Sequence, residues 1–68
     1  MKPEEYLERN LIKYLKEGRK GMANGVSQIQ ITCKVGYNQA CHTVEYGIKK
    51  GVLVKDSEKE FLHWIIES

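Results

Sequence analysis

The sequence predicts a small α+β domain that is mainly helical, with three helices followed by a C-terminal β-hairpin. Three observations support this prediction. Apolar residues recur at intervals of three and four through most of the chain. Glycines stand where helices are expected to stop or turn, at Gly18, Gly36 and Gly51. After Gly51, two short runs of strand-forming residues flank a polar segment. The 68 residues suit a single domain spanning positions 1–68.

The first helix is predicted over residues 3–17. Pro3 suits the first turn, where its missing N–H would have no helical partner. Acidic residues follow it, as the positive end of a helix dipole favours. Gly18 ends the helix. The buried face is predicted from apolar residues at helical spacing, namely Leu7, Leu11, Tyr14 and Leu15, with Ile12 widening the stripe.

The second helix is expected to begin after Ser27, which can form a capping box with Gln30. Ile29 and Cys33 would then point toward the core. The loop before it, residues 18–25, is rich in glycine but lacks the Gly-Lys-Ser/Thr ending of a phosphate-binding loop, so a nucleotide site is not expected.

Gly36 is expected to make the turn into a third helix over about residues 37–50. Either Tyr37 or Asn38 begins this helix, and Gly51 follows its end. Gly47 interrupts it at a cost of about 1 kcal/mol relative to alanine, which close packing against the first helix would explain. One buried stripe is predicted from Ala40, Cys41, Val44 and Ile48.

The end of the chain allows two interpretations. Residues 52–54 and 61–66 predict a β-hairpin, the wing of a winged helix-turn-helix. Alternatively, a capping box at Ser57 and Glu60 would begin a C-terminal helix. We favour the hairpin, with one strand face formed by Leu62, Trp64 and Ile66.

A short helix, a tight turn and a longer helix are typical of DNA-binding proteins, in which the second of these helices enters the major groove. The side chains predicted to read bases are Asn38, Gln39, His42 and Glu45. Asparagine and glutamine amides suit adenine, and glutamate accepts from cytosine. The residues predicted to contact phosphate are Arg19, Lys20, Lys34, Tyr37, Thr43, Lys49, Lys55 and Lys59.

The net charge of +2 is a weak indication of nucleic-acid binding, but its distribution is uneven. Residues 1–34 carry seven basic and four acidic side chains, giving +3, whereas residues 35–68 carry four and five, giving −1. No run of residues is apolar enough for a membrane helix, and the polar N-terminus does not resemble a signal peptide. We therefore expect a cytoplasmic, nucleoid-associated protein.

Catalysis and metal binding are not expected. No nucleophile motif or carboxylate pair is present, so the protein is not predicted to be an enzyme. The spacing of Cys33, Cys41, His42 and His63 matches no common zinc module. In a reducing compartment the two cysteines are expected to remain buried thiols. No cofactor is predicted.

Residues 27–53, about two-fifths of the chain, resemble the gamma domain of FtsK-type DNA translocases. The similarity lies in Val-Gly-Tyr-Asn-Gln-Ala at residues 35–40 and in Lys-Gly-Val at residues 50–52, with further matches at Ser27, Gln30 and Glu45. The resemblance implies a winged helix that reads short oriented DNA sequences. It implies base readout by Asn38 and Glu45.

Two positions depart from the family's pattern. His42 stands where the family has an arginine that reads bases, and Gln39 replaces the arginine after the asparagine. The target sequence is therefore expected to differ. The family's motor is absent from this sequence, so a freestanding reading head is implied, such as a small regulator of transcription in a phage or plasmid. Its partners would be double-stranded DNA and a second copy, as a homodimer or in tandem.

A looser similarity links the chain to small winged-helix regulators of pilus operons. They share its size and its C-terminal pattern, in which the third helix is followed by a glycine, an apolar segment and the wing. The rival interpretation is a winged helix that binds protein instead of DNA. In that case Tyr37, Tyr46 and Trp64 would contact the partner.

Overall fold

The structure is a computed structural model that describes the backbone of residues 3–66 and the side chains of residues 5–66. Three helices and a three-stranded antiparallel sheet confirm the prediction of a mainly helical α+β fold. In chain order the elements are α1 (Pro3–Glu17), β1 (Asn24–Gly25), α2 (Val26–Cys33), α3 (Tyr37–Lys50), β2 (Leu53–Lys55) and β3 (Leu62–Ile65). The sheet has the order β1-β3-β2, an arrangement compatible with a winged-helix layout.

α1 has the predicted bounds, and it buries Leu11 and Tyr14. Leu15 packs against the same core, partly buried. The prediction for Ile12 is wrong, because 58% of that residue is exposed. Ile12 follows Leu11 directly and lies about 100° further round the helix, on the side away from the core.

α2 begins one residue before the predicted cap. Gly25 is the N-cap residue, with φ −91° and ψ 171°, and no side chain caps the helix. Ser27 lies exposed inside the helix, so its predicted capping role is wrong. The cause is the sheet: Gly25 pairs with Leu62 of β3, and this pairing holds the backbone extended up to the start of α2.

The turn between α2 and α3 also differs from the prediction. Lys34, not Gly36, takes the left-handed conformation, with φ 55°. Its N–H donates to the Gln30 carbonyl and so closes the end of α2. Gly36 has φ −74° and ψ 172°, which is extended backbone, and it serves as the N-cap of α3.

α3 spans Tyr37–Lys50 as predicted, and Gly51 ends it in the left-handed conformation with φ 82°. Tyr37, not Asn38, is its first residue. The buried stripe consists of Ala40, Thr43 and Gly47. Val44 and Ile48 pack partly buried against the core beside it, as predicted. Cys41 is only half-buried, so the stripe is rotated away from it.

The hairpin prediction is confirmed, because β2 pairs with β3 in an antiparallel register. Leu53 lies opposite Ile65, and both are buried against the helices. Leu62, Trp64 and Ile66 share one face of β3 as predicted, and it is the outer face: His63 and Ile65 face inward, whereas Trp64 and Ile66 are exposed. Tertiary packing, not the larger apolar residues, determines which side of the strand is covered.

A buried hydrogen bond joins α1 to the sheet. The Tyr14 hydroxyl lies 2.6 Å from His63 Nε2, and both side chains are almost completely buried. Burial lowers the pKa of His63 and raises the pKa of Tyr14 to about 12. His63 is therefore neutral in the folded protein near neutral pH and able to accept a hydrogen bond.

This burial predicts acid sensitivity. In the unfolded chain His63 would titrate near its ordinary pKa of 6.5, whereas the folded protein binds the proton only at lower pH. The free energy of unfolding should therefore be highest above that ordinary value and fall as the pH drops through it. Denaturant titrations between neutral and mildly acidic pH would measure this, and His63→Leu should flatten the profile. An unchanged denaturation midpoint in wild type over this range would contradict the prediction.

Candidate nucleic-acid interface

One face of α3 carries only polar and charged side chains. Asn38, His42, Glu45 and Lys49 are all exposed, and their spacing of three and four residues places them along one side of the helix. This side is roughly opposite the buried stripe. None of the four makes a side-chain hydrogen bond or ion pair with another described residue. We call Asn38, His42, Glu45 and Lys49 the α3 face.

Gln39 lies on a different side of α3. It follows Asn38 by one position, so it is displaced by about 100° round the helix. It is half-buried and shares its side with Tyr46 and Lys50. The structure therefore brings together three of the four predicted base readers and leaves Gln39 at their margin.

Thr43 was predicted to contact phosphate, and this prediction is wrong. The residue is fully buried, and its hydroxyl donates to the Gln39 carbonyl at 2.8 Å. A threonine hydroxyl that bonds to the carbonyl one turn earlier is satisfied within its own helix. Thr43 contributes to the packing beneath the α3 face instead.

The remaining predicted phosphate contacts are all exposed. Tyr37 is 62% exposed at the first position of α3, and Lys34 lies in the turn just before it. Lys49 belongs to the α3 face. The other four lie in the loop after α1 and on the hairpin, namely Arg19, Lys20, Lys55 and Lys59.

A cluster of three side chains fixes α3 against α1. Glu8 Oε2 accepts a hydrogen bond from the Tyr46 hydroxyl at 2.5 Å and lies 3.0 Å from Lys50 Nζ. The Lys50 ammonium also lies 5.2 Å from the centre of the Tyr46 ring. The hydrogen bond from Tyr46 lowers the pKa of Glu8, and the Glu8 carboxylate raises the pKa values of Tyr46 and Lys50. Lys50 thus has an ion-pair partner in the folded protein, whereas Lys49 has none among the described residues.

Asp56 organises the hairpin turn, a role that was not predicted from the sequence. Its Oδ2 accepts hydrogen bonds from the backbone N–H groups of Glu58 and Lys59, at 3.1 and 3.0 Å. Its Oδ1 accepts from Trp64 Nε1 at 2.8 Å. The bond from Trp64 is the main reason that the pKa of Asp56 is lowered. An aspartate followed by Ser57 at the end of a strand is a signal for such a turn.

An open groove of about 440 Å³ lies between the start of α2 and the hairpin. Its walls include the exposed rings of Tyr37 and Phe61, which is 70% exposed. The groove therefore adjoins the first turn of α3. Its other lining residues are Gly25, Val26, Ser27, Gln30 and Leu62.

Both cysteines are free thiols and half-buried. Cys33 Sγ donates to the Asn10 carbonyl at 3.2 Å, and burial raises the pKa of its thiol. Within residues 3–66, no group of three or more His, Cys, Asp or Glu side chains is placed to hold a metal ion. None of the described helices has the length and apolar character needed to cross a membrane.

Comparison with known proteins gives no relative. No protein-family model, curated protein or solved structure matches this chain.

Proposed function

We propose that this protein is a winged helix-turn-helix that binds double-stranded DNA in a sequence-specific manner, with α3 in the major groove. The observation that carries the proposal is the α3 face, an exposed row of polar side chains without partners among the described residues. An element that reads base edges requires several free donors and acceptors on one side, and the α3 face provides them.

Each member of the α3 face has a chemical role in this proposal. Asn38 would pair its amide with adenine, and Glu45 would accept from the cytosine amine. His42 would donate to a guanine acceptor in place of arginine. Lys49 would bind phosphate, because an ammonium at the end of the face carries charge without base-specific geometry.

The supporting contacts fit this assignment. The cluster of Glu8, Tyr46 and Lys50 links α3 to α1, which supports the position of the helix that carries the reading side chains. Lys34 and Tyr37 stand at the end of α3 that would enter the groove, where phosphate contacts commonly set register. The hairpin, with Lys55 and Lys59, would serve as the wing.

In the cell we propose a small cytoplasmic regulator of transcription or of a mobile element, associated with the nucleoid. A single module of this size contacts few phosphates and binds weakly. Two copies on adjacent half-sites would raise the affinity and extend the sequence that is read.

Binding to random duplex DNA at two salt concentrations tests whether the protein binds DNA at all. We expect measurable binding at low salt and a steep loss as salt rises, because each neutralised phosphate releases counterions. Fluorescence anisotropy of a labelled duplex would report it. If no binding occurs even at low salt, the DNA proposal fails.

Asn38→Ala tests base reading after a preferred site has been selected from a random library. We expect it to cost about 1–3 kcal/mol on that site and to relax one base position. Lys49→Ala is the matched control, since it removes a side chain from the same face but should weaken specific and random DNA alike. Equal losses on both DNAs for Asn38→Ala would remove it as a base reader.

A second candidate function is protein binding, and the exposed apolar side chains favour it. Phe61, Trp64 and Ile31 all lie at the surface, with 70%, 37% and 71% exposed. Surface aromatic residues are common in protein interfaces. This candidate gains support only if the salt titration with random DNA shows no binding.

A further inference from the structure

The open groove between the start of α2 and the hairpin has walls from three parts of the fold. Gly25 and Leu62 pair with each other across β1 and β3 and both line it, so its two sides are joined through the sheet. The Leu62 N–H also donates to the Lys59 carbonyl at 3.0 Å, which closes the hairpin turn next to the groove. Tyr37, the first residue of α3, belongs to the same lining. The groove volume of about 440 Å³ lies within the range of small-molecule sites, about 300–1,000 Å³.

Two aromatic side chains of the groove are largely open to solvent. Phe61 of the hairpin is 70% exposed, and Tyr37 of α3 is 62% exposed. The faces of exposed aromatic rings offer flat apolar surfaces on which another ring stacks. The groove therefore favours a ligand that is itself planar and aromatic.

Two neutral polar side chains line the same groove without partners. Ser27 is exposed and Gln30 is half-buried, and neither side chain forms a hydrogen bond with another described residue. The backbone of Gln30 is fixed, because its carbonyl accepts from the N–H groups of Lys34 and Val35 at the end of α2. An amide and a hydroxyl each offer both a donor and an acceptor. They suit a ligand edge that also carries both.

The lining of the groove is uncharged. None of the described residues that form it is acidic or basic, so a charged group placed inside would lose hydration without gaining an ion pair. A purely apolar ring would leave the Gln30 amide unpaired in a partly desolvated place, which also costs free energy. These two costs disfavour charged and purely apolar ligands, and they favour a neutral ring with polar atoms on its edge.

We propose that this groove binds a neutral planar heteroaromatic ring that carries a hydrogen-bond donor and an acceptor on its edge, as a nucleobase does. The ring stacks on Phe61 or Tyr37, and its edge bonds to the Gln30 amide and the Ser27 hydroxyl. Two sources supply this chemistry, a free nucleoside and an unstacked base of a single nucleic-acid strand. No residue of the α3 face lines the groove, so the site is separate from the proposed base-reading surface.

Titration of the protein with adenosine, followed by NMR without any DNA, tests the site. Adenosine is neutral, and its base presents a donor and acceptors. We expect saturable chemical-shift changes of the Gln30 side-chain amide and of the Phe61 and Tyr37 ring protons, with His42 on the α3 face unaffected. Because no DNA is present, failure of this test is distinct from failure of the proposed DNA binding.

Two pairs of variants separate the proposed contacts from general changes. Phe61→Ala removes a stacking surface and should weaken adenosine binding roughly fivefold or more. Its matched control is Ile31→Ala, which trims an apolar residue of similar exposure, 71%, outside the groove. Gln30→Leu removes the amide and should weaken binding roughly threefold or more, whereas Gln28→Leu makes the same change on the same helix outside the groove. Both controls should bind adenosine as wild type does.

Two results would overturn the proposal. One is the absence of any saturable shift up to the solubility limit of adenosine. The other is an equal loss of binding in Gln30→Leu and Gln28→Leu, because the amide in the groove would then have no particular role. The dispersion of the amide spectrum verifies that each variant is folded, and the high exposure of Phe61 means that its removal leaves the core intact.

A single-stranded oligonucleotide of deoxyadenosine distinguishes the two sources of the ring. Binding that is tighter than that of adenosine, shifts the same groove residues and weakens as salt rises would assign the site to a base within a strand. Binding no tighter than that of adenosine would assign it to a free nucleoside. Gln30→Leu should weaken both, since the amide contacts the edge of the ring in either case.

Discussion

Replacing Gly47 with alanine is expected to lower the free energy of unfolding by about 1–3 kcal/mol, the usual range for overpacking a core. Helix propensity alone predicts the opposite, a gain of about 1 kcal/mol from alanine in a helix interior. The contacts of the added methyl group determine whether the free energy of unfolding falls or rises. A Cβ at position 47 would lie 2.5 Å from Leu53 Cδ1 and 2.7 Å from Leu53 Cγ.

Leu53 has little room to move away from such a methyl group. It is 2% exposed and lies opposite the buried Ile65 in the sheet. The same Cβ would also approach Leu11 Cδ1 at 3.0 Å. The absence of a side chain at Gly47 is thus what allows α3, β2 and α1 to meet in the core.

A double-mutant cycle measured by denaturant unfolding would separate crowding from a general loss of packing. Leu53→Ala removes the two atoms nearest the new Cβ but leaves a cavity, so it should destabilise on its own. In the Leu53→Ala background, Gly47→Ala should be neutral or stabilising, because its two closest contacts are gone and the cavity left by Leu53 gives Leu11 Cδ1 room to move from its 3.0 Å contact. An equally large loss in both backgrounds would mean that contact with Leu53 is not the cause.

The helices could be predicted from the sequence because each has a local signal. α1 and α3 have apolar residues at helical spacing, and Gly18 and Gly51 mark where they end. Gly47 is unfavourable in a helix, and close packing against α1 is one explanation that the sequence leaves open. The sequence suggested contact with α1, and the structure adds Leu53 of β2 as the nearer neighbour. That contact joins α3 to β2, and how closely these two elements approach each other depends on the whole fold.

The errors arise where tertiary structure overrides a local signal. Ser27 has the pattern of a helix cap, but pairing of Gly25 with β3 starts the helix earlier. In β3 hydrophobicity alone would favour burial of Trp64 and Ile66, yet the buried position belongs to His63. The imidazole is accepted there because the Tyr14 hydroxyl provides a hydrogen bond. Tyr14 lies 49 residues from His63 in the sequence, so no local sequence pattern indicates this contact.

The candidate site shows the same contrast between local sequence signals and tertiary structure. Helical spacing alone places Asn38, His42 and Glu45 on one side of α3, and the structure agrees with that spacing. Thr43 and Gln39 were misplaced because the buried side of α3 is rotated relative to the stripe that the apolar residues predicted. A buried threonine and a buried glycine, Gly47, form part of that side, and neither is recognisable as core by hydrophobicity.

Tyr14→Phe is expected to lower the free energy of unfolding by about 1–3 kcal/mol at neutral pH, although it deletes a single oxygen. The hydroxyl lies 2.6 Å from His63 Nε2 in a region that excludes water. Its removal leaves the ring nitrogen of His63 buried without that partner, and the cost is the desolvation of an unpaired polar group. Tyr37→Phe is the matched control. It deletes the same hydroxyl group from a residue that is 62% exposed, so it leaves no buried polar group without a partner. That variant should stay within about 0.5 kcal/mol of wild type.

The double variant Tyr14→Phe with His63→Leu distinguishes an unpaired nitrogen from a simple loss of packing. Each single variant leaves one buried polar group without the other, whereas the double variant removes both. Replacing both partners of a buried hydrogen bond by apolar groups of similar shape is close to neutral. Chemical denaturation should therefore find the double variant less destabilised than the sum of the two single variants. Additive losses would show that the two side chains contribute separately, and that the hydrogen bond between α1 and β3 adds nothing to the stability of the fold.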